Sequence, residues 1–287
     1  MIILSDNYLK DKFIALKYRK LYMLEIEFNN NQNNMLKEVM SEIISKISEE
    51  TKMISIVIYN KNVDIELLDL LVTKLKKMNK SISLTIKGTI KDKKLFNIKD
   101  KINQFRFVIN KVESEYIKRL YKNFKTDDND IIFISEVSNV GYFKDKLQPL
   151  IEQTKYIFNI NIKNNLTKKD YWILAKELSL LKNKLPLSVL YDLPCAAIKY
   201  ENLQGICPGF ICLLCIDVDG YGKLCYKQKT NYKYNIKDYN LNEIFDILYK
   251  DYMPLNHCEK FEICFGGCPI HRKKNCNKYC GMKGGVT

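Results

Sequence analysis

The stretch Ile54-Ser55-Ile56-Val57-Ile58-Tyr59, followed after Asn60-Lys61-Asn62 by Asp64-Ile65-Glu66-Leu67-Leu68-Asp69-Leu70-Leu71-Val72-Thr73-Lys74-Leu75-Lys76-Lys77-Met78 and then by Ser81-Ile82-Ser83-Leu84-Thr85-Ile86, decides the fold class. A short run rich in β-branched residues bounded by polar turn residues is a strand, and the same pattern returns at Ser81. Between them Leu67, Leu68, Leu70, Leu71 and Leu75 recur at helical spacing behind Asp64, a residue suited to capping. A strand, a helix and a second strand in this order form a parallel βαβ unit, because a parallel pair needs a long crossover.

The alternation extends outward in both directions. Strand candidates are Leu21 to Phe28, Ile54 to Tyr59, Ser81 to Ile86, Gln104 to Ile109, Ile131 to Ile134, Tyr156 to Ile162 and Leu187 to Leu190, with longer amphipathic stretches between them. About six βα repeats make either an open, doubly wound sheet or a partial barrel. A glycine-rich phosphate loop would favour the open sheet, and the βα turns Asn29-Asn30-Asn31, Asn60-Lys61-Asn62 and Lys87-Gly88-Thr89 contain none. Gly88 reads as a turn glycine.

The chain has 287 residues, 46% of them hydrophobic, enough to bury a substantial core and incompatible with a collagen-like or disordered chain. No window approaches the roughly 18 apolar residues of a membrane span, and Met1-Ile2-Ile3-Leu4 gives way at once to Ser5-Asp6, so the expectation is a cytoplasmic protein without a membrane partner. The net charge of +14 raises a nucleic-acid reading. Against it, arginine occurs only at Arg19, Arg106, Arg119 and Arg272, and the lysines are spread along the whole chain, as on a solvated exterior.

All ten cysteines lie between Cys195 and Cys280, and residues 1 to 194 contain none. In a reducing compartment such a cluster points to metal or cluster ligands rather than disulfides. Asp219-Gly220 between two apolar runs signals a hairpin, which would bring Cys225 toward Cys207, Cys212 or Cys215. A helix follows, with Asn240 and Glu243 as a capping box and Leu241, Ile244, Phe245, Leu248 and Tyr252 on one face. The chain then delivers His257, Cys258, Cys264, Cys268, Cys276 and Cys280. Zinc is one reading of Cys212-x-x-Cys215, Cys264-x3-Cys268 and Cys276-x3-Cys280 with His257 and His271. Cys195 and Cys215 are the first candidates for plain buried thiols.

The order Cys207, Gly220, Cys225, Cys258, Cys264, Cys268 and Cys280, with Tyr234-Asn235-Ile236 before Leu241-Asn242-Glu243-Ile244-Phe245 and Cys264-Phe-Gly-Gly-Cys268-Pro, resembles the SPASM domain, the C-terminal iron-sulfur extension of peptide-modifying radical SAM enzymes. The resemblance implies a partial (β/α)6 barrel over residues 1–190 and a small Cys-rich domain with a hairpin and short helices over 191–287. It implies two auxiliary four-iron clusters. Cys207, Cys225 and Cys268 would hold the first, with Cys212, Cys215 or Cys195 as fourth ligand. Cys258, Cys264 and Cys280 would hold the second, completed by Cys276, since Leu255 stands where the family has a cysteine.

The barrel half resembles the family in rhythm and departs from it in motif. The family carries Cys-x3-Cys-x2-Cys after its first strand, and the corresponding positions here are Asn29, Asn33 and Leu36, none able to bind iron as a thiolate does. Asn60-Lys61-Asn62-Val63 replaces the Gly-Gly-Glu-Pro segment that meets S-adenosylmethionine. The expectation is therefore a homologue that does not bind or cleave S-adenosylmethionine, without catalytic residues of its own. It would act as an iron-sulfur accessory protein of peptide maturation, with a precursor peptide or an active radical SAM maturase as partner. The alternatives are a redox subunit that passes electrons to such a maturase and a zinc-stabilised nucleic-acid binder.

Overall fold

The computed structural model of the chain describes residues 21–28, 33–59, 63–88, 93–109, 113–137, 139–162, 166–182, 184–190, 212–225, 228 and 232–252. Seven parallel strands appear where the sequence alternation places them: β1 Met23–Phe28, β2 Met53–Tyr59, β3 Ser81–Lys87, β4 Gln104–Val108, β5 Asp130–Val137, β6 Ile157–Ile162 and β7 Leu187–Leu190. A hairpin of β8 Leu213–Ile216 and β9 Gly222–Lys223 completes one sheet of nine strands. The spatial order is β7-β6-β5-β4-β3-β2-β1-β8-β9.

Strands β1 to β7 follow one another across the sheet without a reversal. Right-handed crossovers then carry every connecting helix to the same face. A doubly wound sheet needs a point where the order turns back, and none occurs, so the winding is that of a barrel. The helices are α1 Asn33–Lys46, α2 Ile65–Lys77, α3 Ser114–Phe124, a run α4 made of Val140–Tyr142, a π turn Phe143–Leu147 and Gln148–Thr154, α5 Lys168–Lys182 and α6 Leu241–Tyr252, with a 3-10 segment Lys93–Lys101 before β4.

Side-chain alternation divides the sheet into two unlike faces. Leu24, Ile26 and Phe28 of β1, Ile54, Ile56 and Ile58 of β2 and Phe105 and Phe107 of β4 belong to the main hydrophobic core with the helices. Phe124 of α3 sets its ring 4.9 Å from Phe105 and 5.1 Å from Phe107. Helix α2 starts as expected, with the Asp64 carboxylate accepting from the Leu67 amide at 2.9 Å. It buries Ile65, Leu67, Leu68, Leu71, Val72 and Leu75, each worth roughly 1.5–3 kcal/mol. Leu70, expected in that stripe, is 52% exposed, because the helical turn carries it off the buried arc.

The hairpin is joined to the parallel sheet. Strand β8 pairs parallel with β1, Met23 beside Leu213 and Glu25 beside Cys215, while β9 pairs antiparallel with β8. The turn falls at the expected place, and Gly220 adopts a φ of +86°, a conformation that favours glycine. Gly88 likewise has φ +105°. Helix α6 packs on the hairpin through Ile244, and its capping box forms: Asn240 accepts from the Glu243 amide at 2.8 Å while Glu243 accepts from the Asn240 amide at 2.9 Å. Leu241, Ile244, Phe245 and Leu248 are buried, as their spacing predicts.

Candidate functional site: the polar inner face and the hairpin beside it

The face of the sheet turned away from the helices is polar and buried. In β1, Glu25 and Glu27 alternate with the apolar residues and are 6% and 8% exposed. Register carries the pattern sideways: Cys215, Glu25, Ser55, Ser83 and Gln104 form one row, and Glu27, Val57, Thr85 and Arg106 the next. Toward the C-terminal ends of the strands come Tyr59, Lys87, Val108, Ile134, Asn159 and Ser188, then Glu136 and Asn161. In parallel barrels this end of the strands carries the functional groups.

At the end of β1 these side chains form a connected network. Glu27 accepts from the Tyr59 hydroxyl through Oε1 at 2.8 Å and from the Lys223 ammonium through Oε2 at 2.8 Å. Lys87 donates to the Tyr59 oxygen at 3.3 Å, with its ammonium 4.4 Å from the centre of that ring. The Lys223 and Glu27 side chains are 6% and 10% exposed, so the ion pair lies inside the protein. Burial works against the Lys223 ammonium, but the neighbouring Cys215, Glu27 and Asp217 outweigh it and hold its pKa above the ordinary 10.5. Burial, then the hydrogen bond to Glu27 and the charges of Glu27 and Glu25, push the Tyr59 hydroxyl well above 10.0. Both groups therefore keep their protons at neutral pH.

The three described cysteines differ in setting. Cys212 is fully buried and packs with the main hydrophobic core. Its carbonyl accepts from the Tyr22 and Met23 amides at 3.1 and 2.8 Å. Cys215 is fully buried on the inner face beside Glu25, and burial followed by the Glu25 and Glu27 charges pushes its thiol well above 9.0. Cys225, two residues beyond Lys223, is partly exposed. Its carbonyl accepts from the Gln228 amide at 3.0 Å, while the Gln228 side chain accepts from the Leu224 amide at 2.8 Å. Of the three, Cys225 is the one that is partly exposed.

Asn33 opens helix α1 and Leu36 lies in its first turn, so the gap between β1 and α1 falls where the family's cluster motif would stand. Asn29, Asn60, Lys61, Asn62, Cys195, Cys207, Cys258, Cys264, Cys268, Cys276, Cys280, His257, His271 and the Tyr252 side chain lie outside the described residues. Among the described residues no group of three or more His, Cys, Asp or Glu side chains could hold a metal ion. No helix among them is long and apolar enough to cross a membrane. At the end of β1, Glu27 is committed to Tyr59 and Lys223, and no cysteine precedes Cys195 in the sequence.

Sequence reading did not single out Glu25, Glu27, Tyr59, Lys87 or Lys223. A signal existed in Met23-Leu-Glu-Ile-Glu-Phe28, where two carboxylates alternate with apolar residues in a strand candidate. A buried carboxylate requires a partner.

No family model matches the chain, and no curated protein matches it in sequence. Among solved structures, Streptococcus suis SuiB bound to S-adenosylmethionine superposes with a TM-score of 0.62 at 14% identity, over 97% of this chain and 80% of that one. A second structure of Streptococcus suis SuiB gives 0.62 at 13% identity, over 97% and 83%. The likeness is one of fold: an α/β arrangement of parallel strands and helices.

Proposed function

We propose that this chain is an iron-sulfur accessory protein in the maturation of a ribosomally made peptide or protein, a radical SAM/SPASM homologue whose barrel no longer generates radicals. The observation that carries the reading is the state of the β1 terminus. The fold is radical SAM-like, yet the place of the cluster motif holds asparagines and leucine, and the adjoining interior is occupied by the Glu27, Tyr59 and Lys223 network. The cysteine spacing from Cys207 to Cys280 supports auxiliary clusters in the region that follows the barrel, with Cys225 just beyond the hairpin. When bound, such clusters supply electron transfer or a rigid wall for a substrate site. The chain's own residues supply the scaffold: a polar, buried inner face of the sheet and a partly exposed thiol beside it.

The reading is tested by incubating anaerobically reconstituted protein with dithionite and S-adenosylmethionine. No 5'-deoxyadenosine above a protein-free control is expected. Catalytic amounts of 5'-deoxyadenosine would contradict the loss of the radical site.

A further inference from the structure

We infer that Glu27 is a positioning residue for Cys225: through Lys223, the barrel's first strand fixes the strand that leads into this thiol. The inference rests on the reading of Cys225 as a cluster ligand and adds to it a residue of the barrel, far away in sequence, on which the ligand's placement depends.

Strand β9 consists only of Gly222 and Lys223: it pairs with β8, Cys215 opposite Lys223 and Ile216 opposite Gly222, and the Gly222 amide donates to the Tyr234 carbonyl at 2.8 Å. So short a strand has little backbone pairing of its own, and the Lys223 side chain adds the contact that ties it to the first strand of the barrel. Lys223 is the anchor on the barrel side: its ammonium reaches Glu27 Oε2 at 2.8 Å, across 196 residues of sequence. Glu27 is itself fixed, because its other oxygen accepts from Tyr59 at 2.8 Å. On the far side, Gln228 closes a turn onto Leu224 and Cys225. Cys225 is thus held from both directions while remaining partly exposed, whereas Cys212 and Cys215 are enclosed.

The same network explains why a carboxylate stands at the end of β1. In a barrel that held a cluster there, thiolates would follow this strand. Here its last inward-facing side chain grips the hairpin instead. The hairpin region also meets the barrel independently of this contact: β8 pairs with β1, Lys46 of α1 donates to the Ile236 carbonyl and, at 3.3 Å, to that of Tyr239, and Lys237 pairs with Glu38 at 3.2 Å. Loss of Lys223 therefore frees Cys225 without detaching the segment.

The test uses full-length protein without metal, treated with iodoacetamide and read cysteine by cysteine by peptide mass. In Lys223→Met, and to a smaller extent in Glu27→Gln, Cys225 is expected to react about tenfold faster than in the wild type, while Cys212 and Cys215 stay protected and so report an intact fold. After anaerobic reconstitution the same variants are expected to lose acid-labile sulfide and to show a broadened electron paramagnetic resonance spectrum of the remaining reduced cluster. Unchanged Cys225 reactivity in Lys223→Met or Glu27→Gln, with Cys212 and Cys215 protected, would overturn the inference. A wild type that takes up no sulfide would overturn the cluster reading instead, and the iodoacetamide comparison would still decide whether Glu27 positions Cys225. Should Lys223→Met expose all three thiols, the isosteric Glu27→Gln decides.

Discussion

Lys223 and Glu27, 196 residues apart in sequence, meet at 2.8 Å in a buried ion pair that joins the hairpin to the first strand of the barrel. Removing one partner leaves a buried, uncompensated charge, which costs about 3–5 kcal/mol. Lys223→Met is therefore expected to lower unfolding free energy by that amount in urea titration. Lys223→Met combined with Glu27→Met is expected to recover much of the loss, because paired apolar side chains of similar size replace a buried ion pair at little cost. Equal destabilisation in the single and double variants would show that the pair itself contributes nothing.

Tyr59 gives the pair a signature in alkaline solution. Burial and its hydrogen bond to Glu27 raise its hydroxyl well above the 10.0 of the unfolded chain. Below that pH both states hold the proton and stability is unaffected. Above it the unfolded chain gives up a proton that the folded protein keeps, so stability falls as pH rises. Between pH of about 9 and about 11 the wild type is expected to lose more stability than Tyr59→Phe, which lacks the titrating group. Parallel losses in the two proteins would place Tyr59 in an unperturbed environment.

Gly222 shows how closely helix α6 sits on the hairpin. A Cβ added there would lie 2.2 Å from Ile244 Cγ2, closer than any real contact, so the helix or the strand must shift. Gly222→Ala is expected to destabilise by about 1–3 kcal/mol, the usual cost of overpacking. Ile244→Ala in the same chain opens space and should make the glycine substitution less costly than it is alone. The check is a double-mutant cycle by thermal or urea unfolding.

The α6 cap is a smaller, local test. Asn240 satisfies the Glu243 amide at 2.8 Å, and Asn240→Ala is expected to cost about 0.5–2 kcal/mol while leaving Cys225 reactivity unchanged, since the cap lies at the solvent-facing start of the helix.

The strands were legible because each is a short β-branched run in register with its neighbours, a pattern that burial on both faces of a parallel sheet enforces on the sequence itself. The α2 cap at Asp64, the turn at Gly220 and the Asn240–Glu243 box were legible for the same local reason. Leu70 shows where apolar identity misleads: a leucine inside a leucine-rich helix is still exposed when the turn points it outward. The β8–β1 pairing and the Lys223–Glu27 contact left no local trace, because nothing near Lys223 in sequence differs from the many solvated lysines of this chain. Only the carboxylates within Met23 to Phe28 announced that something basic must reach the interior, and not which residue. The cysteine spacing pointed to cluster chemistry, but it could not separate a fixed, accessible thiol such as Cys225 from an enclosed one such as Cys215.

The proposed role, a barrel that serves an iron-sulfur module without making radicals, is decided by metal and sulfide analysis of the full-length protein reconstituted anaerobically with iron and sulfide. The account expects iron and acid-labile sulfide in equal amounts, roughly four per cluster and about eight for two clusters, with the visible absorption of such centres. Stoichiometric zinc with no acid-labile sulfide would contradict it.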